Sequence, residues 1–369
     1  MRPARRLLFR RASIWQWSHL QEEVGHWAGK QVRQLELYDT ALDGPEAQEI
    51  TRAVFKLFKT LPNLQHLSLV GFGQFSLLNF RQPSLFDHVD FAFMHSAVLF
   101  PVLSELYIHV PACTHSIVFA LLATSNHQIR RLSVQSDPVT INPVAERQQL
   151  DFRGNLRYLS TDAAFYQTLL DPTHVALDGL AGLEELKLSH DTAVESNQRE
   201  GGFIRVIAPT LRALSFDAKK GAWLTDFAEH FGQLTRPVIG NGSSSSPPFF
   251  RPLPPNLASL RFYDDRPSRL NLAPFTANPT LVPASLKVIG FNSIFEITTF
   301  TNLPRVDTLS ITYSRATFDM LRRISPGTLP FKTLEVSFRD GLLDELCLAE
   351  AECLRLGVGF RHSEDPWDI

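Results

Sequence analysis

The chain has 369 residues, 44% of them hydrophobic and 20% charged, and its 36 Lys+Arg against 38 Asp+Glu give a formal net charge of -2. This composition can bury a sizeable core and excludes a disordered chain, and the near-neutral balance lacks the concentrated positive field of a general nucleic-acid binder. Three cysteines exclude a disulfide framework.

The first eleven residues carry Arg2, Arg5, Arg6, Arg10 and Arg11 around Leu7, Leu8 and Phe9. A secretory signal would continue into a long apolar run. Here Ser13, Gln16, Ser18 and His19 follow instead. A transit peptide and a nuclear import patch share such a composition. The reading carried forward is a solvated basic helix that covers the end of the domain, with cytoplasmic or nuclear placement. No apolar stretch reaches the roughly 20 residues of a spanning helix, so no membrane partner is expected.

From Val32 onward a short pattern recurs: an apolar residue, two variable residues, Leu or Ile, one variable residue, and usually a second apolar residue. It occurs at Val32-Leu35-Leu37, Leu64-Leu67-Leu69, Leu103-Leu106-Ile108, Ile129-Leu132-Val134 and Leu156-Leu159-Thr161. It continues at Leu183-Leu186-Leu188, Leu211-Leu214-Phe216, Leu257-Leu260-Phe262, Leu286-Ile289-Phe291, Val306-Leu309-Ile311 and Phe331-Leu334-Val336. Cys353-Leu356-Val358 is a further, last copy. About 11–12 units in tandem define a repeat protein. Several copies share a Pro lead-in, as in Leu61-Pro62-Asn63, expected to hold the chain extended on its way into the strand.

The physical consequence follows from the two-residue period of a strand. Leu67 and Leu69 point to one face, and His66, Ser68 and Val70 to the other. A strand this short cannot bury its apolar side alone, so the units must stack. Between strands, Ile50, Val54 and Leu57, then Trp223, Phe227, Phe231 and Leu234, then Phe318 and Leu321, have helical spacing. The expected fold is an α/β solenoid. Its curved parallel sheet lies on the concave side, with helices and irregular segments on the convex side. The step from Leu211 to Leu257 is longer and holds Gly240-Asn241-Gly242-Ser243-Ser244-Ser245-Ser246-Pro247-Pro248. A flexible insertion is expected at about 236–255, inside one continuous stack.

Units such as Leu61-Pro62-Asn63-Leu64-Gln65-His66-Leu67-Ser68-Leu69 and Leu183-Glu184-Glu185-Leu186-Lys187-Leu188 resemble leucine-rich repeats. The irregular unit lengths and Pro-containing lead-ins resemble the repeat regions of fungal F-box/leucine-rich-repeat proteins, over about Val32 to Val358. Two departures stand beside the resemblance. No Asn or Cys ladder follows the strands, which instead have Thr40, Phe72, Pro111, Asp137, Ala164, Asp191, Lys219 and Asp265 there. An F-box needs some 40–50 residues, and 31 precede Val32. The resemblance therefore implies residues 1–31 as a basic helical cap or F-box remnant, and 32–369 as the leucine-rich-repeat domain. It also implies substrate recognition for a ubiquitin ligase, with a ligase adaptor at the N-terminus. The alternative is a repeat-only interaction scaffold with no ligase link.

The outward positions of the strands define the working face. Tyr107, Arg131, Tyr158, Lys187, Arg261 and Tyr263 are the side chains on it of the kinds that anchor protein interfaces. They are the candidate contacts for a protein or peptide target. No catalytic, cofactor or metal site is expected. Cys113-Thr114-His115 lacks a second ligand pair. Gly71-Phe72-Gly73 and Gly357-Val358-Gly359 lack the third glycine of a phosphate loop, and no Gly-x-Ser-x-Gly elbow occurs. Arg130-Arg131 and Arg322-Arg323 are isolated pairs, not a basic strip, so no nucleic acid is expected as a partner.

Overall fold

The structure is a computed structural model. It describes residues 6–10, 31–38, 61–70, 100–109, 122, 126–135, 149–172, 175–188, 198–217, 227–240, 253–263, 278–291, 304–312, 318–319, 321–337 and 343–363. They belong to two compact units: Met1–Leu183 with Val194–Val206, and Glu184–Ala193 with Ile207–Ile369.

The first unit contains strands β1 (Arg6–Arg10), β2 (Gln34–Tyr38), β3 (His66–Val70), β4 (Glu105–His109), β5 (Arg131–Gln135) and β6 (Tyr158–Thr161). They pair in sequence order, every neighbour parallel. The repeated Leu positions form one row: Leu35, Leu67, Leu106, Leu132 and Leu159 lie in register and are fully buried. The first positions Val32, Leu64, Leu103, Ile129 and Leu156 are equally buried. Helix α1 (Ala163–Leu169) follows β6. Asp162 Oδ1 caps it by accepting from Phe165 N–H at 2.8 Å. Helix α2 (Gln198–Ile207) adds Phe203, whose ring meets Tyr166 edge-on at 5.5 Å, both fully buried.

The second unit contains β7 (Glu185–Leu188), β8 (Ala213–Asp217), β9 (Arg236–Gly240), β10 (Ser259–Tyr263), β11 (Val288–Phe291), β12 (Thr308–Thr312), β13 (Thr333–Ser337) and β14 (Gly359–Ser363). These too pair in order and in parallel. Phe262 stacks on its register partner Phe291 at 5.4 Å. Helix α3 (Leu343–Leu356) precedes β14. It ends where Gly357 takes φ 73° and Val358 N–H reaches back to Cys353 O at 3.0 Å. That closure turns the chain out of the helix and toward the sheet.

Parallel strands in sequence order with helical and irregular returns make an α/β, solenoid-like fold. A repeated backbone device sets the register. At the start of most strands one carbonyl of the preceding unit accepts two successive N–H groups. Arg33 O takes Gln65 and His66, Gln65 O takes Ser104 and Glu105, and Ser104 O takes Arg130 and Arg131. In the second unit Glu184 O, Arg212 O, Thr235 O, Ala258 O, Lys287 O and Asp307 O do the same.

Several details differ from the sequence expectation. Arg6–Arg10 is a strand, not part of a basic helix. Its Leu7 and Phe9 stand in register with Leu35 and Leu37, so the strand spacing of the pattern extends one strand before Val32. The proposed insertion begins with a strand: β9 puts Pro237 opposite Leu214. Leu234-Pro237-Ile239 is therefore a copy with Pro at the Leu position. It splits the long step into two steps of 23 residues. Pro237 has no N–H to give the ladder, and the pairing with β10 is recorded only from Val238 onward. Cys353 and Leu356 are not on a strand but on the buried face of α3. The last strand instead places Phe360 opposite Leu334. The Leu61-Pro62-Asn63 lead-in is a turn rather than extended chain: Leu64 N–H bonds Leu61 O at 3.1 Å across Pro62-Asn63, the position where Pro fits a tight turn. Of the expected helical stripes, Ile50–Leu57 and Trp223 lie outside the described residues. Phe231 and Leu234 are buried in a turn, and Phe318, Leu321 and Ile324 are buried beside one helical turn.

Candidate interaction surface

On each strand the residues that flank the buried Leu point away from the core. Parallel register lines them up across strands. In the first unit one row runs Gln34, His66, Glu105, Arg131, Tyr158, and the next Glu36, Ser68, Tyr107, Ser133, Ser160. Neighbouring strands lie about 4.8 Å apart, so long side chains in these rows cover short ones. Ser68, Ser133 and Ser160 lie on this outward side, yet they are only 7%, 2% and 2% exposed. His109 Nε2 closes over Ser133 Oγ at 2.8 Å. Glu36, on the same side, is buried and accepts from Gln34 Nε2 at 2.6 Å.

The half-buried side chains of β3 to β6 include a linked cluster. His66 Nδ1 meets Glu105 Oε2 at 2.9 Å. The His66 ring lies 5.1 Å from the ring of Tyr107. Arg131 Nε donates to the Tyr107 hydroxyl at 2.9 Å. The Arg131 guanidinium carbon sits 4.4 Å above the centre of the Tyr158 ring, a cation–π contact. Burial alone would pull the Arg131 pKa down. The hydrogen bond to Tyr107 and the charges of Tyr107, Glu105 and Tyr158 outweigh it and hold the guanidinium above its ordinary value. Of the six candidate face residues, Tyr107, Arg131 and Tyr158 are therefore in mutual contact through Arg131. His66 and Glu105 complete the cluster. Their place in the row beside Arg131 was legible, but nothing in the sequence joined them to Tyr107.

In the second unit Lys187 is half-buried on β7, opposite Ser215. Tyr263 ends β10, opposite Gly240. Arg261 is not an open anchor. It runs across two strands toward Glu335, with Nη2 to Oε2 at 3.7 Å and the two side chains 18% and 13% exposed. Between them in register stand Gly290 and the fully buried Ser310, small enough to let the arginine pass. A Cβ on Gly290 would stand 2.9 Å from Arg261 Cγ.

Among the described residues no group of three or more His, Cys, Asp or Glu is placed to hold a metal ion. No described helix is long and apolar enough to cross a membrane. Cys347 is exposed and Cys353 buried, both as free thiols; Cys113 lies outside the described residues.

No family model matches the chain, and no curated protein matches it. Among solved structures, the chain is similar to the leucine-rich repeat-containing protein LegL7 from Legionella pneumophila, at 14% identity and a TM-score of 0.45. The likeness covers 70% of this chain and 88% of that one.

Proposed function

We propose that this protein is a non-catalytic interaction scaffold. Its strands form a leucine-rich-repeat solenoid, and the outward face of β3 to β6 takes a protein or peptide segment. The observation that supports this is the Tyr107–Arg131–Tyr158 cluster. Two aromatic rings and a guanidinium, already ordered by a hydrogen bond and a cation–π contact, stand half-buried on a regular sheet face. Tyr and Arg dominate binding energy at protein interfaces because each offers a large area with a polar tip. Preordered side chains lose little entropy when a partner docks.

Within the segment expected as a helical cap or F-box remnant, β1 extends the parallel sheet as one more strand. No observation on this fold or surface points to a ubiquitin ligase, so the reading taken here is the repeat-only scaffold. The test is affinity purification of the full chain from cells that express it, wild type against the double variant Arg131→Ala/Tyr158→Ala. A partner that binds through this face should fall at least about tenfold in recovery, with circular dichroism and thermal unfolding of the bait unchanged. Equal recovery by a folded double variant removes the face from the function.

A further inference from the structure

We infer that Arg131 is the anchor for a single carboxylate, carried by an Asp or Glu of an extended segment in a partner protein. The inference rests on the reading that the outward face of β3 to β6 binds protein. Arg131 is fixed on two of its sides. Its Nε–H is committed to the Tyr107 hydroxyl, and one face of its guanidinium lies on Tyr158. Its two Nη groups donate to no described residue, and it forms no ion pair with one. The nearby carboxylate that could have neutralised it, Glu105, is bonded to His66 Nδ1 instead. A half-buried cation is thus held in one orientation: among the described residues its four Nη–H donors have no partner, and Glu105, whose charge it feels, is bonded to His66 rather than to it.

Paired guanidinium N–H groups match the two oxygens of a carboxylate. Holding the fork in advance removes the ordering cost that a mobile surface arginine would bear. The surroundings set the charge of the ligand. Glu105 stands beside the site and the chain carries a formal net charge of -2. One arginine in that field suits a monoanion, whereas a phosphate dianion or a nucleic-acid strand needs several cations. Tyr107 and Tyr158 add aromatic contact area beside the fork, which fits neighbouring apolar or aromatic residues on the partner segment.

The experiment is selection from a phage-displayed library of random twelve-residue peptides on the immobilised full chain. Selected peptides are then titrated against wild type, Arg131→Gln, Arg131→Lys and Tyr158→Ala. The expected result is a consensus with one fixed Asp or Glu. Arg131→Gln should weaken those peptides roughly ten- to a hundredfold, and replacement of the acidic residue by its amide should cost no more once Arg131 is gone. Arg131→Lys, which keeps the charge without the fork, should recover only part of the loss. Peptides that need Tyr158 but share no acidic position would overturn the carboxylate inference and leave the protein-binding face standing. Selection of no peptide that depends on Tyr158 would overturn both.

Discussion

Gly182 offers the sharpest test of how the first unit is packed. It lies in the turn after Leu180, and a Cβ there would stand 2.8 Å from the carbonyl carbon of Gly154 and nearer still to its oxygen. Both sides of that contact are backbone, so no side-chain rotation relieves it. The strands of chain must part by roughly 1.5 Å to restore van der Waals separation. Two hydrogen bonds hold them together: Gly154 N–H to Gly179 O and Arg157 Nη1 to Gly182 O, each at 2.8 Å. Overpacking costs about 1–3 kcal/mol, and weakening these bonds places Gly182→Ala at the upper end, about 3 kcal/mol. For a domain of this size that is a fall in Tm of roughly 6–12 °C. Gly202→Ala is the control of opposite sign. It lies in α2 with nothing within 4 Å of its added Cβ, so it should stabilise by about 0.5–1 kcal/mol. Thermal and urea unfolding of the three proteins measure both. A Gly182→Ala protein within about 1 kcal/mol of wild type, or a Gly202→Ala protein that is less stable, would refute the reasoning.

The Arg261–Glu335 link should behave as a coupled pair. Glu335→Ala leaves a largely covered guanidinium without its carboxylate and should cost about 2 kcal/mol, discounted from a fully buried pair for the residual exposure. The cycle closed by Arg261→Ala and the double variant should show a coupling of about 1 kcal/mol, and additive costs would show that the two groups do not interact. Cys353 gives a pH dependence. Burial first, then the charges of Glu352 and Glu350, pushes its thiol up to about 12 from an ordinary 9.0. The unfolded chain therefore loses this proton first, and the contribution of Cys353 to stability, complete below pH 9, is lost as pH rises from 9 toward 12. Between pH 8 and pH 10.5 wild type should lose more Tm than Cys353→Ala, and equal losses would count against a shifted thiol.

The repeat was legible because burial on a strand has a fixed spacing, and Leu67, Leu106, Leu132 and Leu159 repeat it without fail. The misses have separate causes. Leu7 and Phe9 are flanked by arginines, and a run of charge has the same composition in a solvated helix as in an edge strand whose long side chains reach water. Leu234-Pro237-Ile239 was hidden by Pro, which argues against a central strand and is tolerated here with one rung of the ladder given up. Cys353-Leu356 misled because positions three apart share a face on a helix as well as on this turn-and-strand unit. The outward rows were readable from the same register. Their burial was not, because whether Ser133 or Ser310 meets water depends on the length of the side chains one and two strands away.

The carbonyl that receives two N–H groups at the start of a strand involves no side chain. Arg33, Gln65, Ser104, Glu184 and Lys287 all serve in that place. Alignment between neighbours is thus fixed locally, whatever the amino acid and however long the excursion since the previous strand. Such a scaffold can lengthen, shorten or repaint its loops and outer face while the ladder beneath keeps its phase, and so diverge far in sequence without losing its form.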